Sequence, residues 1–293
     1  MACTQGSVHA KFVWNAVTLP TSKTQFAYDL NGDGVADNAL GNALQTLAAF
    51  GPSPQANQNA AIAGGKGLTL TDVVSSDSTF TTDGCAQTTL LPADDKDAPD
   101  FSGSGTFTPT AGAASSLFPG ALGASAFASP AVATATDPIT VPLKVAFLAS
   151  AVPMPLVGAH LVFTHVAAGL SQGQLNGAIR NSDVQTILMP LLAAGINAQY
   201  QANPSPQLKF VFDNGGTASP GCASTCANPD GTCAVKNDGK IDTCEVTTNS
   251  IVGPLFQPDV QLYQNGIFAP NPLNTVKDAF SIGIGFTAVP ASF

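Results

Sequence analysis

Arginine is almost missing from this chain: Arg180 is the only one, and lysine and arginine together number 10 of 293 residues. Charged residues are 10% of the sequence, against a usual ~25%. Acidic residues number 19, giving a net charge of −9. A protein that neutralises phosphates needs clustered Lys and Arg. No such cluster exists, which excludes nucleic acid as a partner and argues against a polyanionic substrate. No run of 18 apolar residues is free of polar or turn residues, so no transmembrane helix is expected. There is no CxxC pair, which weakens any zinc reading. No repeat of 20–50 residues is visible, which argues against solenoids and propellers. There are three histidines and one tryptophan. No His/Glu facial triad can be read from them, and no aromatic cluster marks a stacking site.

Apolar residues reach 44%, too many for a disordered polymer and ample for a core. The expected fold class is α+β, mainly an antiparallel β-sheet or sandwich with about three helices. It is read as one β-rich domain over residues 1–293, with a disulfide-pinned insertion at about 213–245. β-Branched and aromatic enrichment predicts a strand over 10–19, ended by Pro20. Leu40, Leu44, Leu47 and Ala48 at helical spacing predict a helix over 38–50, and 54–63 a second short one. Strands are expected at 68–74, 101–108, 139–150, 156–168, 173–179 and 208–212, with 92–137 otherwise loop-like. Val184, Ile187, Leu188, Leu191, Leu192 and Ile196 predict the buried stripe of a helix begun by Ser182-Asp183. Pro190 should kink it. A short helix is expected from Glu245. Residues 279–289 alternate apolar with small or polar residues, the pattern of a half-buried strand.

Six cysteines are present: Cys3, Cys85, Cys222, Cys226, Cys233 and Cys244. The low-charge, Ser/Thr/Asn/Gly-rich composition suits an exported protein, where disulfides persist. Two bridges are expected within the 222–244 cluster, where Cys222–Cys226 with Cys233–Cys244 is the favoured of three connectivities. Ala2-Cys3 resembles a bacterial lipoprotein processing site, which would put a lipid on Cys3. Without that lipid, Cys3–Cys85 is the natural third bridge.

The sharpest motif is Asp29-Leu30-Asn31-Gly32-Asp33-Gly34-Val35-Ala36-Asp37. Oxygen side chains stand at positions 1, 3, 5 and 9 of an EF-hand-type loop, with glycine at 6. Alternating oxygens on a tightly curled loop converge on one hard cation, and Val35 would add its backbone carbonyl. Position 12 is Leu40 instead of Glu, so a remote acid must complete the shell or Asp37 must bind directly. The competing reading is an Asx/Gly turn before a helix. A weaker copy, Asp238-Gly239-Lys240-Ile241-Asp242-Thr243-Cys244-Glu245, matches positions 5 to 9 and 12. Its positions 1 and 3 fall on Ala234 and Lys236, so Asp213, Asn228 or Asp230 would have to replace them. Asp94, Asp95, Asp97 and Asp100 form a third acidic group, read as a solvated loop.

The loop motif at 29–41, Pro-Asp-Phe-Ser-Gly-Ser-Gly-Thr-Phe at 99–107, the half-loop before a helix and the 285–293 end resemble a group of proteins. These are uncharacterised exported proteins and lipoproteins of myxobacteria and related bacteria. The likeness spans most of the chain and implies an exported, calcium-loop-bearing globular protein without a particular activity. Dockerins share the Asp-x-Asn-x-Asp-Gly pattern, but their two loops lie about twenty residues apart, unlike here.

Gly169-Leu170-Ser171-Gln172-Gly173 matches the nucleophile-elbow pattern. His9, His160 and His165 all precede Ser171, the wrong order for an α/β-hydrolase. A serine esterase using Ser171 and His165 is kept as the alternative function. His160 and His165 stand five apart on a predicted strand and so face opposite ways. The favoured expectation is a secreted or cell-surface bacterial protein with structural calcium and a binding or scaffold role. Its expected partner is an unidentified surface or matrix component, with membrane contact only through Cys3 and self-association through residues 278–293.

Overall fold

Phe12, Val13 and Trp14 are buried in the first strand, β1 (Val8–Thr18). The structure is a computed structural model and describes residues 6–48, 54–129, 139–141, 154–204, 206–213, 239–271, 273 and 275–293. After β1 come α1 (Ala39–Leu47), α2 (Pro54–Ala63), β2 (Thr69–Ser75), β3 (Gln87–Pro92), β4 (Ser116–Pro119), β5 (Ala121–Gly123), β6 (Ala126–Ala128) and β7 (Ile139–Val141). Next are β8 (Met154–Val166) and β9 (Gly169–Arg180), then a helical run. That run is α3 (Asn181–Asp183), a π turn (Val184–Leu188) and α4 (Met189–Ala202). The remainder is α5 (Pro206–Phe212), α6 (Thr243–Thr248), the small hairpin β10 (Tyr263–Gln264) and β11 (Ile267–Phe268), and β12 (Ala279–Pro290).

The sheet runs β4-β3-β2-β1-β12-β9-β8-β6-β5, with β7 also on β8, and its ladders are antiparallel. Its two ends, β4 and β5, are separated in the chain by Gly120 alone. One short segment therefore pairs with β3 at one end and β6 at the other, and the sheet nearly closes on itself. Leu122 and Asp83 exchange both backbone bonds, at 3.0 and 2.7 Å, and Gly120 N donates to Ala86 O at 2.8 Å. A Cβ on Gly120 would meet Ala128 O at 2.6 Å, so this junction needs glycine. Near-closure leaves little exposed edge. The expectation of a β-rich antiparallel fold holds, but a nearly closed sheet replaces the sandwich.

The core joins strand residues Phe12, Leu70, Leu90, Phe118, Phe127, Phe163, Leu175 and Ile284 to helical Leu40, Leu44, Val184, Leu192 and Phe212. Trp14 stacks on Phe286 at 4.0 Å, and its ring N–H donates to Thr71 Oγ1 at 2.9 Å, so the indole is buried with its donor satisfied.

β12 corrects an expectation. Its large residues Phe280, Ile282, Ile284 and Phe286 enter the core, and Ala279, Ser281, Gly283 and Gly285 on the other face are buried too. The alternation is large against small, because other chain packs on the small face. A Cβ on Gly283 would lie 1.9 Å from Phe26 O, and one on Gly285 2.4 Å from the Phe26 ring. β12 pairs with β1 on one side and β9 on the other, so residues 279–290 do not form an outer strand of the sheet.

Other expectations are corrected. Among the described residues five helices form where about three were expected, counting 181–202 as one. Residues 208–212 are helical: Leu208 and Phe212, four apart, are buried while Phe210 is 77% exposed, a 3.6-residue period that a short apolar run disguises. Residues 101–108 form only isolated bridges such as Thr106 to Ser292. Within 92–137, β4, β5 and β6 appear as short strands, and β3 was not anticipated. Pro190 lacks an N–H and its ring crowds the carbonyl four residues earlier. The run widens into the π turn just ahead of it. Of the strand expected at 139–150, only Ile139–Val141 is described. Cys85 and Cys244 are each disulfide-bonded. Cys3, Cys222, Cys226 and Cys233, with the proposed lipid and pairings, lie outside the described residues, as does most of the 213–245 insertion. No helix among the described residues is long and apolar enough to cross a membrane.

Candidate metal site

The loop after β1 is closed by a two-residue bridge. Asp37 N donates to Tyr28 O at 3.0 Å and Tyr28 N to Asp37 O at 3.3 Å. Within it Gly32 and Gly34 take φ of +79° and +82°, a region that glycine enters without a Cβ penalty. These turns aim backbone N–H groups inward at Asp29. Its Oδ1 accepts from Gly32 N at 2.7 Å and Asp33 N at 3.1 Å, and its Oδ2 from Gly34 N at 2.9 Å. Asn31 Oδ1 accepts from Asp33 N at 3.1 Å, and Asp33 Oδ1 from Val35 N at 2.8 Å.

The result is convergence. One carboxylate oxygen each from Asp29, Asp33 and Asp37 lies within 4.8 Å of the others. Oxygens bound to one calcium at ~2.3–2.6 Å can be at most about 5 Å apart, so the three fit a common ion. Among the described residues no other three acidic, His or Cys side chains meet this way. Asn31 is buried and held against Asp33, while Val35 is exposed at the loop tip.

Asp37 bears the electrostatic consequence. Its Oδ2 is buried without a hydrogen-bond partner. Burial first, then the charges of Asp259, Asp33 and Asp29, push its carboxyl up from 3.8 to about 7, with Lys277 opposing. A carboxylate with one orphaned oxygen, grouped with two further carboxylates, fits a divalent cation, which would satisfy all three together.

The loop is anchored at both ends. Tyr28 and Leu30 pack on Val157, Ala178, Val260, Leu262 and Ala279, and Tyr28 stacks on His160 at 4.1 Å. At the other end Asn38 does not cap α1 with its side chain. Its amide instead grips Gly283, donating to O at 3.0 Å and accepting from N at 3.0 Å. Ala39 N donates to Ser281 Oγ at 2.8 Å, and Ser281 N to Asp259 Oδ1 at 2.7 Å. β1 ends its pairing with β12 at Gly285, and Asn38 takes over the backbone groups that β1 leaves. Local spacing could not find Asp259: it lies 222 residues beyond Asp37, and only β12 brings them together. Burial holds its carboxyl above the usual range, against the two Ser281 bonds.

The second predicted loop is partly described. Asp242 is the N-cap of α6, accepting from Glu245 N at 3.1 Å, while Glu245 Oε2 accepts from Asp242 N at 3.1 Å, a capping box. Lys240 lies just before it, and Asp213 is fully buried. Asp238, Asn228 and Asp230 lie outside the described residues. In the third acidic group, Asp95 pairs with Lys66 at 3.3 Å. The Ser102 backbone N–H, then the Ser102 and Ser104 hydroxyls, lower Asp100. Asp95 and Asp100 thus each have a local partner, an ion pair for one and hydrogen bonds for the other.

The structure does not bring the esterase pair together. Ser171 stands opposite Thr164 in the β8–β9 ladder and His165 opposite Leu170. Neighbouring ladder positions face opposite sides. His165 packs its ring against Phe80 at 5.3 Å and Phe12 at 5.9 Å. Ser171 lies near the start of a hairpin strand, not at a strand-to-helix turn. His160 and His165 also part company, His160 lying against Tyr28. A pocket of about 390 Å³ between the end of β1 and α1–α2, lined by Leu19, Pro20, Leu44, Gln45, Pro54 and Gln55 among others, holds no titratable side chain.

No protein-family model, curated protein or solved structure matches the chain.

Proposed function

We propose that this protein is an exported calcium-binding protein, secreted or held at a bacterial cell surface, whose ion is structural and whose role is binding or scaffolding. The convergence of Asp29, Asp33 and Asp37, together with a buried, partnerless oxygen on Asp37, carries the reading. Calcium would be held by those carboxylates, with Asn31 and the Val35 carbonyl as further oxygen donors on the same loop. The ion's task is to cancel repulsion in a loop fixed between the Tyr28–His160 stack and the Asn38–Gly283 grip. Neutralised, the loop covers the small face of β12. Uncompensated, its charges oppose that docking.

Export is supported by the disulfides at Cys85 and Cys244, since such bonds persist in oxidising compartments. Calcium is abundant outside cells, where sites of ~10⁻⁴–10⁻³ M suffice. At free calcium a hundredfold above Kd, binding to the folded state alone adds about 2.7 kcal/mol. The test is thermal unfolding of calcium-stripped protein with and without added calcium, alongside elemental analysis of the untreated protein. A rise in Tm that Asp33→Asn abolishes is expected. Unchanged unfolding together with no bound alkaline-earth metal rejects the proposal.

A further inference from the structure

Asp213 is 0% exposed, and its Oδ1 is buried with no hydrogen-bond partner. It follows directly on α5, the end of a helix where the backbone dipole disfavours an anion. A carboxylate in that position lacks compensation unless a cation or further donors reach it.

Its other oxygen shows what it faces. Gly239 N donates to Asp213 Oδ2 at 3.1 Å, and Gly239 has φ of +81°. In the first loop Gly34 N donates to Asp29 Oδ2 at 2.9 Å with φ of +82°. Gly34 is position 6 of that loop and Asp29 is position 1. Gly239 is position 6 of the second motif, whose expected position 1, Ala234, is no acid. Asp213 thus makes the position-1 contact from 26 residues away in sequence. Downstream the match continues: Lys240 is position 7, Asp242 position 9 as the N-cap of α6, and Glu245 position 12, 3% exposed. Gln201 Nε2 fixes the Gly239 carbonyl at 2.6 Å and Asn197 Oδ1 takes Ile241 N at 2.9 Å, so α4 holds the turn in place.

The geometry points to a second calcium site formed by a discontinuous EF-hand-type loop, with Asp213 supplying position 1 from the end of α5. Among the described residues its direct protein ligands are the Asp213 carboxylate, the Lys240 carbonyl and the Glu245 carboxylate. Asp242 at position 9 acts through water, as that position often does. The first loop lacks an acid at position 12, whereas this one has it and lacks a continuous first half. The two sites complement each other's missing parts without sharing residues. This inference extends the calcium reading above, and the following experiment separates their failures.

Equilibrium dialysis with radioactive calcium counts ions on the full-length, disulfide-intact protein. Two ions per chain are expected. Asp33→Asn with Asp37→Asn should leave one, held by the second site. Glu245→Gln should leave the other, because glutamine keeps the capping box but removes the bidentate charge, weakening that site at least tenfold. Asp213→Asn should act as Glu245→Gln does. If Asp213→Asn does not fold by far-UV circular dichroism, Glu245→Gln and the wild-type count still decide. One ion in the wild type, lost with the Asp33/Asp37 pair and kept by Glu245→Gln, overturns the second site and leaves the first. One ion lost only with Glu245→Gln supports the second site and overturns the first. No ion in the wild type overturns both.

Discussion

Asp37→Asn should change stability in opposite directions with and without calcium. In the metal-free protein the folded state holds the Asp37 proton up to about 7, while the unfolded chain releases it near 3.8. Folded protein thus binds more protons over that interval, and stability falls as pH rises through it, with the full cost present above about pH 7. At full weight a displacement of this size is worth about 4 kcal/mol. The carboxyl is only half-buried, so solvent screening reduces the usable figure to about 1–2 kcal/mol. Asparagine carries no charge and removes that cost. At pH 8 the metal-free variant should be about 1–2 kcal/mol more stable than wild type, and at pH 4 the two should nearly coincide. In saturating calcium the order inverts. Wild type gains about 2.7 kcal/mol at a hundredfold excess over Kd, and the variant loses most of that gain with its ligand. Urea unfolding at pH 4, 6 and 8, on calcium-stripped and calcium-loaded protein, reads both arms. A variant less stable than wild type in the stripped state at pH 8, or one that responds to calcium as wild type does, refutes the reasoning.

Gly283→Ala would drive a Cβ to 1.9 Å from Phe26 O, so the segment before the loop must lift from β12. The expected loss is about 1–3 kcal/mol, read as a lower urea midpoint and weaker calcium binding; an unchanged midpoint contradicts the packing described for that face. Asp83 accepts from Ser75 and Ser76 hydroxyls, Ser76 N and Cys85 N, so Asp83→Ala should cost about 2–4 kcal/mol in the same assay. His160 is held below its usual 6.5, by burial against the opposing effect of the Ser129 backbone bond. Its folded pKa is depressed, so stability falls as pH drops below 6.5. His160→Phe should keep the contact with Tyr28 and flatten that acid limb; unfolding curves between pH 7 and 5 that run parallel for the two proteins would count against it.

Much of the secondary structure was legible. β1, α1, β8, β9 and β12 lie close to where composition and apolar patterning put them, because those stretches are long enough to read; α2 also falls at 54–63 as expected, although only Gln58 and Ile62 in it are buried. The failures were short or polar. β3, Gln87-Thr-Thr-Leu-Leu-Pro92, offers a weak alternation, and 208–212 is too short to distinguish a strand from the buried side of a helix. The Gly-x-Ser-x-Gly pattern carried no information on which ladder face Ser171 and His165 would occupy. In the metal loop, oxygen spacing and two glycines sufficed to foresee the curl, since all the parts lie within nine residues.

The amino-acid order alone therefore determined the β-rich character, the acidic curl at 29–37 and the half-loop before α6, each a matter of local periodicity and turn chemistry. Tertiary structure decided the near-closure of the sheet through 116–123, the burial of both faces of β12 and the approach of Asp259 to Asp37. It also set Asp213 against Gly239. Those relations join residues distant in sequence, and they depend on which strands pair and which small residues let another segment come close. No local pattern of side chains encodes that.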